Sequence, residues 1–232
     1  MATEPSFNLQ TELRAYFPLD FIKFGAIELG ENEENLLRLI AASIPTVLLA
    51  ITKKTASTAS ANGIHFLAVS IHNSCSPKEN PQFFVASNSL VHAYNDVLVK
   101  EIMGLEFKPV IQKLAAYSST KYASTRNVIE YTCSIAMISL GKHAQRNLLS
   151  PSEFKAWLHP QEEDFFAALP IQLTDVDKLL GSMYKDKRSV RHLFTNLKDF
   201  PHWLFVKKGL IPSLATILLL LLVLAARRVF RW

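Results

Sequence analysis

The chain has 232 residues, of which 49% are hydrophobic and 10% aromatic, and its formal net charge is +5. The charge is unevenly placed, because residues 185–232 hold ten basic and two acidic side chains whereas residues 1–184 hold fifteen basic and eighteen acidic ones. Residues 1–184, which we call the body, are therefore mildly acidic. Nucleic-acid binding needs a basic face with interleaved aromatic residues, and the charge of the body excludes this class of function.

The apolar residues of the first 184 positions recur at helical spacing, and strict alternation over six or more residues is scarce. The chain also contains only seven glycines. Its length suffices for one sizeable core. The sequence therefore predicts an all-α fold, with residues 1–184 forming a multi-helix bundle.

The first predicted helices are short. Leu9, Leu13 and Tyr16 share one helical face, and Pro18 ends that piece. A second helix is predicted over 19–29 and ends at Gly30. Together they form a short helix pair ahead of the first long apolar stretch.

The next predicted helix is long. It starts near the acidic residues at 31–34, which suit the positive end of a helix dipole, and continues to Ile51. Pro45 falls inside the pattern and is expected to kink or split the helix. A short apolar helix follows around residues 65–71, and the two prolines of the loop at 73–82 make the clearest break in the chain.

Helical patterns resume over 90–102, 107–117 and 124–146. The stretch "SPSEFKAW" is a start signal, because Ser150 can cap the helix, Pro151 suits the first turn and Glu153 completes a capping box. Thr174 is predicted to cap the following helix. The stretches "AASIPTVLLAITKK" and "TCSIAMISLGKHAQ" echo each other, which is compatible with two similar helical halves.

The last apolar run differs from these amphipathic patterns. Residues 209–226 are eighteen positions without a charge, and as a helix they extend about 27 Å, close to the hydrocarbon thickness of a bilayer. Pro212 lies in the first turn, where it is tolerated. The flanking residues are aromatic and basic, as at membrane interfaces: Trp203, Lys207, Lys208, Arg227, Arg228, Arg231 and Trp232. The sequence predicts a single transmembrane helix.

The segments around this run suggest a tail-anchored protein. No signal peptide is visible at the start, and only the basic tail 227–232 follows the run. Residues 185–208 form a basic, amphipathic juxtamembrane segment, which is expected to meet anionic lipid headgroups or to dock on the body. The excess of Lys and Arg before the run predicts a cytoplasmic body.

The stretch "NLLRLIAASIPTVLLAITKKTAS" resembles the signature of the bacterial YidB-like family, a domain family of unknown function, in its Ile-Pro followed by two leucines. The later stretch "CSIAMISLGKHAQRNLLSPSEFKAWLHPQEEDFFAALPIQL" resembles the second half of that family. There a helix ends in Leu-Gly, a turn opens a short helix and Ala-Leu-Pro closes the domain; the matching positions are Leu140 and Gly141, Leu149 and Ser150, and Ala168 to Pro170.

This resemblance spans roughly residues 7–173 and implies a protein at the bacterial inner membrane. Some members of the family carry a membrane helix after the domain and then an outer-membrane-protein-A-like module that binds peptidoglycan. This chain has the helix without that module. The resemblance implies no activity, cofactor or catalytic residue.

The residues also yield no catalytic constellation, phosphate-binding loop or metal motif. His65 and His72 lie two helical turns apart and could form a ligand pair, but capping or polar roles are the preferred interpretation. Cys75 and Cys133 are interpreted as free thiols.

The favoured hypothesis is a non-enzymatic interaction or scaffold module that binds another protein or itself at the membrane, without a cofactor or metal. The alternative is a lipid-handling protein or an enzyme whose site assembles from residues distant in sequence. A deep pocket lined by converging polar groups would distinguish the alternative.

Overall fold

A computed structural model describes residues 8–74, 89–104 and 107–183, and within these ranges the secondary structure is helical, without a strand. The all-α prediction is confirmed for this part of the chain. The helices are α1 (Leu9–Arg14), α2 (Leu19–Leu29), α3 (Glu33–Lys54), α4 (Thr58–Ser74), α5 (Ser89–Met103), α6 (Lys108–Ser118), α7 (Tyr122–Arg146), α8 (Pro151–Leu158), α9 (Glu162–Ala167) and α10 (Thr174–Met183). The predicted segments 185–208, 209–226 and 227–232 lie outside the described residues.

The core is built around α3 and α7, which carry the two echoing stretches. Every residue of α3 from 42 to 52 and of α7 from 128 to 141 is buried. The two helices run in the same direction. Near their starts Asn35 Nδ2 donates to the carbonyl of Ser119 (3.2 Å), and beyond their ends Lys155 of α8 donates to the carbonyl of Ala56. Helices α1, α4, α5 and α6 contact α7, so it is enclosed on most sides.

Of the two outcomes expected at Pro45, a kink or a split of the helix, the split does not occur. Helix α3 continues without interruption from Glu33 to Lys54, with Pro45 buried inside it. The missing N–H leaves the carbonyl of Ala41 without its helical donor. Because Ala41 is exposed, water can reach this turn of the helix.

Helix α3 is also long and apolar enough to cross a membrane, the only such helix among the described residues. Length and composition alone are weak evidence, since a core helix passes the same test. Within the most apolar stretch of α3, 78% of the residues are buried inside the bundle. This burial makes α3 a core helix of the body.

Several helix boundaries follow the predicted local signals. Gly30 ends α2 with a φ of 60°, the left-handed conformation that glycine adopts readily. Ser150 and Glu153 form the predicted capping box at the start of α8. Helix α4 is longer than the predicted 65–71. Thr174 is the first residue of α10 rather than its cap, and its hydroxyl donates to the carbonyl of Ile171 (3.1 Å).

Gly141 corrects an expectation drawn from the family resemblance. Helix α7 does not end at Leu140–Gly141 but continues to Arg146. A Cβ on Gly141 would lie 2.1 Å from the carbonyl oxygen of Ala68. Glycine is therefore required because the backbones of α4 and α7 approach closely here, and not because a helix ends.

Two lysines at the end of α3 connect it to later helices. Lys53 pairs with Glu162 of α9 (3.1 Å) and with Asp177 of α10 (2.8 Å). The next residue, Lys54, lies 3.3 Å from the carboxylate of Glu101 in α5, and both side chains of this second pair are almost fully buried. The end of α3 is thus the point where α5, α9 and α10 are attached.

Candidate functional site: an aromatic corner

One corner of the bundle combines aromatic, imidazole and exposed apolar side chains. It is formed by α4, the C-terminal end of α7 and α8. Nε2 of His65 donates to the carbonyl of Leu149 (2.8 Å), and the imidazole meets the ring of Phe154 edge-on at 5.5 Å. This contact fastens α4 to the turn between α7 and α8.

The aromatic row continues from α8 to α7. The ring of Trp157 lies 6.1 Å from that of Phe154 and stacks on the imidazole of His143 at 4.0 Å. Both Trp157 and His143 are half-buried. Asn147 completes this edge, because its side-chain amide donates to the carbonyl of His143 (2.9 Å).

Two large apolar side chains project beside this row. Leu148 is 88% exposed and Phe66 is 73% exposed. Each is the sequence neighbour of a residue in the His65–Leu149 contact, so their backbones lie at the same corner. We call the following set the aromatic corner: His65, Phe66, His143, Leu148, Phe154 and Trp157.

The backbone of Leu148 is unusual. Its φ is 51°, at the position after a helix where glycine is normally found. The N–H of Leu149 donates to the carbonyl of Ala144 (2.9 Å), which closes the helix end and fixes this conformation. A branched residue pays a conformational penalty in this region. The turn therefore holds an exposed leucine in a defined place despite an unfavourable backbone.

The charges near the corner are partly neutralised within the body. Lys142 pairs with Glu12 of α1 (2.8 Å). The carboxylate of Glu153 accepts from the N–H and hydroxyl of Ser150 (2.8 and 2.6 Å). Arg146, in the last turn of α7, is exposed. The exposed surface here therefore carries both the guanidinium of Arg146 and the carboxylate of Glu153.

Two imidazoles in this region have lowered pKa values. Burial lowers the pKa of His72, and the nearby cations Lys142 and Arg146 lower it further. Burial also lowers the pKa of His143, although the carboxylate of Glu12 opposes that effect. Nδ1 of His72 is buried without a hydrogen-bond partner. Both rings are thus poorly placed to accept a proton in the folded protein.

We therefore expect the free energy of unfolding to fall as the pH is lowered from 7.5 to 5.5. The unfolded chain takes up protons near the ordinary histidine pKa of 6.5, whereas the folded chain resists protonation of His72 and His143. The part of the free energy of unfolding that is linked to these two histidines is thus retained above pH 6.5 and lost progressively below it. Denaturant unfolding of the full chain in mild detergent across this pH range measures the effect.

The variant His72→Gln supplies the control, because an amide does not titrate in this range. Its stability should depend less steeply on pH than that of the parent chain. Glu153 does not contribute, since its hydrogen bonds to Ser150 lower its pKa below the ordinary 4.5. Equal slopes for the parent and His72→Gln would contradict the assignment.

The residues singled out from the sequence have mixed outcomes. The predicted membrane residues lie outside the described residues and remain predictions: Trp203, Lys207, Lys208, Pro212, Arg227, Arg228, Arg231 and Trp232. His65 binds a backbone carbonyl, and among the described residues no group of three or more His, Cys, Asp or Glu side chains is placed to hold a metal ion. Cys133 is a free, buried thiol whose pKa is raised by burial and by Glu130.

Comparison with known proteins adds no relative. No family model, curated protein or solved structure matches the chain. The resemblance to the YidB-like family therefore remains an expectation. The described residues define an all-α bundle with an aromatic corner at one end.

Proposed function

We propose that the chain is a membrane-anchored, non-enzymatic interaction module, with the helical bundle as its working part and residues 209–226 as its anchor. The observation that carries the proposal is the uncharged run of eighteen residues with aromatic and basic flanks. The juxtamembrane segment 185–208 adds seven basic residues, which favour anionic headgroups.

The fold supports assigning the anchor to residues 209–226 rather than to α3. Helix α3 is mostly buried, and its last two residues pair with carboxylates of other helices. Moving α3 into lipid would strip these contacts and leave Lys53 and Lys54 to be accommodated at the membrane. We therefore assign the anchor to the uncharged run 209–226.

Charge placed in the run tests the anchor. In Leu219→Arg/Leu222→Arg each arginine costs about 2.5–3.5 kcal/mol at the centre of a membrane helix. We expect this variant to move from the carbonate-resistant membrane fraction to the soluble fraction, whereas the control Leu219→Ile/Leu222→Ile stays with the membrane. Retention of the double-arginine variant would assign the membrane contact to another segment, α3 included. Release of the parent chain by salt alone would leave only electrostatic attachment.

The interaction role follows from the exposed corner. We take the corner as the candidate contact surface because Leu148 is held exposed there at a conformational penalty. The body would face the cytoplasm by the charge count of the flanks, which stays a prediction. The alternative of a lipid-handling or enzymatic protein also stays open to test.

A further inference from the structure

We propose that the body is a pseudodimer, in which two equivalent four-helix halves pair within one chain as two subunits pair in a symmetric homodimer. The first half holds α1 to α4, and the second half holds α5, α6, α7 and a broken fourth helix made of α8 and α9. The partner that each half binds is therefore the other half of the same chain. This inference goes beyond the proposed function and does not depend on the anchor.

The first argument is that the helix boundaries repeat at a constant interval. Helix α2 is Leu19–Leu29 and α6 is Lys108–Ser118, so the two helices lie 89 positions apart, from 19 to 108 and from 29 to 118. The same interval separates the end of α1 from the end of α5, and the start of α3 from the start of α7. The connections between these helices thus have equal lengths in both halves.

The backbone conformation and the burial pattern repeat at the same interval. Gly30 and Ser119 are equivalent positions, and both end a helix in the left-handed conformation, with φ of 60° and 57°. Ser119 is one of only two non-glycine residues with positive φ among the described residues, so the agreement is informative. Buried apolar residues of α1 and α5 also correspond: Leu9 with Leu98, and Leu13 with Ile102.

The fourth helix of each half has the same length and crosses to the other half. Helix α4 has 17 residues, and α8, a 3-10 turn and α9 follow one another without a gap over an equal stretch, 151–167. Pro160 lies in that 3-10 turn, where its missing N–H interrupts the α-helical bonding. Helix α4 packs on α7, and α9 packs on α3. Each fourth helix therefore covers the third helix of the opposite half.

The ion pairs between the halves are reciprocal, as contacts are across the interface of a symmetric dimer. Glu12 of α1 pairs with Lys142 near the end of α7 (2.8 Å). The equivalent of Glu12 is Glu101 of α5, which pairs with Lys54 at the end of α3 (3.3 Å). Lys142 is equivalent to Lys53, the neighbour of Lys54, so the two pairs match to within one position. In each half the first helix thus binds the end of the third helix of the other half.

Equivalent elements also contact each other, which places a twofold axis between the halves. The turn 30–32 touches its equivalent, the turn 119–121. The backbone N–H of Lys121 donates to the carboxylate of Glu31 (2.9 Å), and its ammonium donates to the carbonyl of Gly30 (2.9 Å). Helices α3 and α7 are likewise equivalent and pack together in the same direction. An axis parallel to these two helices relates the halves, and the contact between them is filled from within the chain.

Distances between spin labels on the full chain in mild detergent test this symmetry. In a Cys75→Ser background, cysteines are introduced two at a time at four exposed positions that are equivalent in pairs: Lys23→Cys and Gln112→Cys, and Glu34→Cys and Ala123→Cys. Cys133 is buried and is not expected to react with the label. We expect the distance 23–123 to equal the distance 34–112 within about 5 Å, one helical turn. We also expect the distances within each half, 23–34 and 112–123, to agree.

Each other outcome overturns the inference in a distinguishable way. Unequal distances within the halves would show that the halves are not equivalent. Agreement within the halves, but a clear difference between 23–123 and 34–112, would show two repeats related by translation, without a twofold axis. A mixture of chains that carry only Lys23→Cys with chains that carry only Ala123→Cys should give no 23–123 distance. If that distance appears, the halves pair between two molecules instead.

Discussion

Gly141→Ala is expected to destabilise the bundle by about 3 kcal/mol or more, the upper range for overpacking a core. The new Cβ would lie 2.1 Å from the carbonyl oxygen of Ala68, 2.6 Å from its carbonyl carbon and 2.7 Å from Cβ of His72. Two of these atoms are backbone, so the strain cannot be relieved by a rotamer change. Helices α4 and α7 would have to separate along a fully buried seam.

Gly181→Ala is the matched control for this substitution. Gly181 lies in α10, and no atom would come within 4 Å of its added Cβ. The same change there should stabilise the protein by up to about 1 kcal/mol, because alanine favours a helix over glycine. Denaturant unfolding followed by circular dichroism in mild detergent compares the two variants. A Gly141→Ala variant as stable as Gly181→Ala would contradict the close approach of α4 and α7.

Lys54→Met is expected to destabilise the protein by about 3–5 kcal/mol, the range for removing one partner of a buried ion pair. The Lys54 side chain is 9% exposed and that of Glu101 is 3% exposed, with the ammonium 3.3 Å from Oε1. Removing the lysine leaves a carboxylate in a site where water cannot replace its partner. The variant must then carry a buried charge or protonate Glu101.

The double variant Lys54→Met/Glu101→Leu tests whether the loss of stability in Lys54→Met comes from the unpaired charge that remains on Glu101. Replacing both groups by apolar side chains of similar size removes the desolvation penalty, so the double variant should be clearly more stable than Lys54→Met alone. The same unfolding measurement, arranged as a double-mutant cycle, gives the coupling between the residues. A double variant that loses as much stability as the single one would show that the two side chains do not act as a pair.

The sequence predicts the features that depend on neighbouring residues. The end of α2 at Gly30 and the capping box of Ser150 and Glu153 were predictable because each uses residues within one helical turn. Helical periodicity likewise predicts the all-α class. Whether Pro45 would split α3 could not be decided from the local pattern, because burial among the other helices holds that segment helical.

The candidate site could not be predicted from the sequence, because its residues meet only through tertiary packing. Trp157 reaches His143 across the turn between α7 and α8, and His65 reaches Leu149 across 84 positions. Nothing local marks these residues as neighbours. The sequence did offer one signal of an unusual turn, because Leu148 follows the predicted helix end at a position where glycine is normally found. The role of Gly141 needed the position of Ala68, which only the packing of α4 provides.

The separation of α3 and α7 along the chain has a consequence for its synthesis on the ribosome. Residues 55–121 separate the two helices, so α3 leaves the exit tunnel well before its main partner exists. During that interval an apolar helix long enough to span a bilayer lacks its contacts with α7. We expect the nascent chain to depend on a holding factor until α7 emerges. Any delay in translation between residues 55 and 146 should then increase aggregation or misdirected insertion of α3.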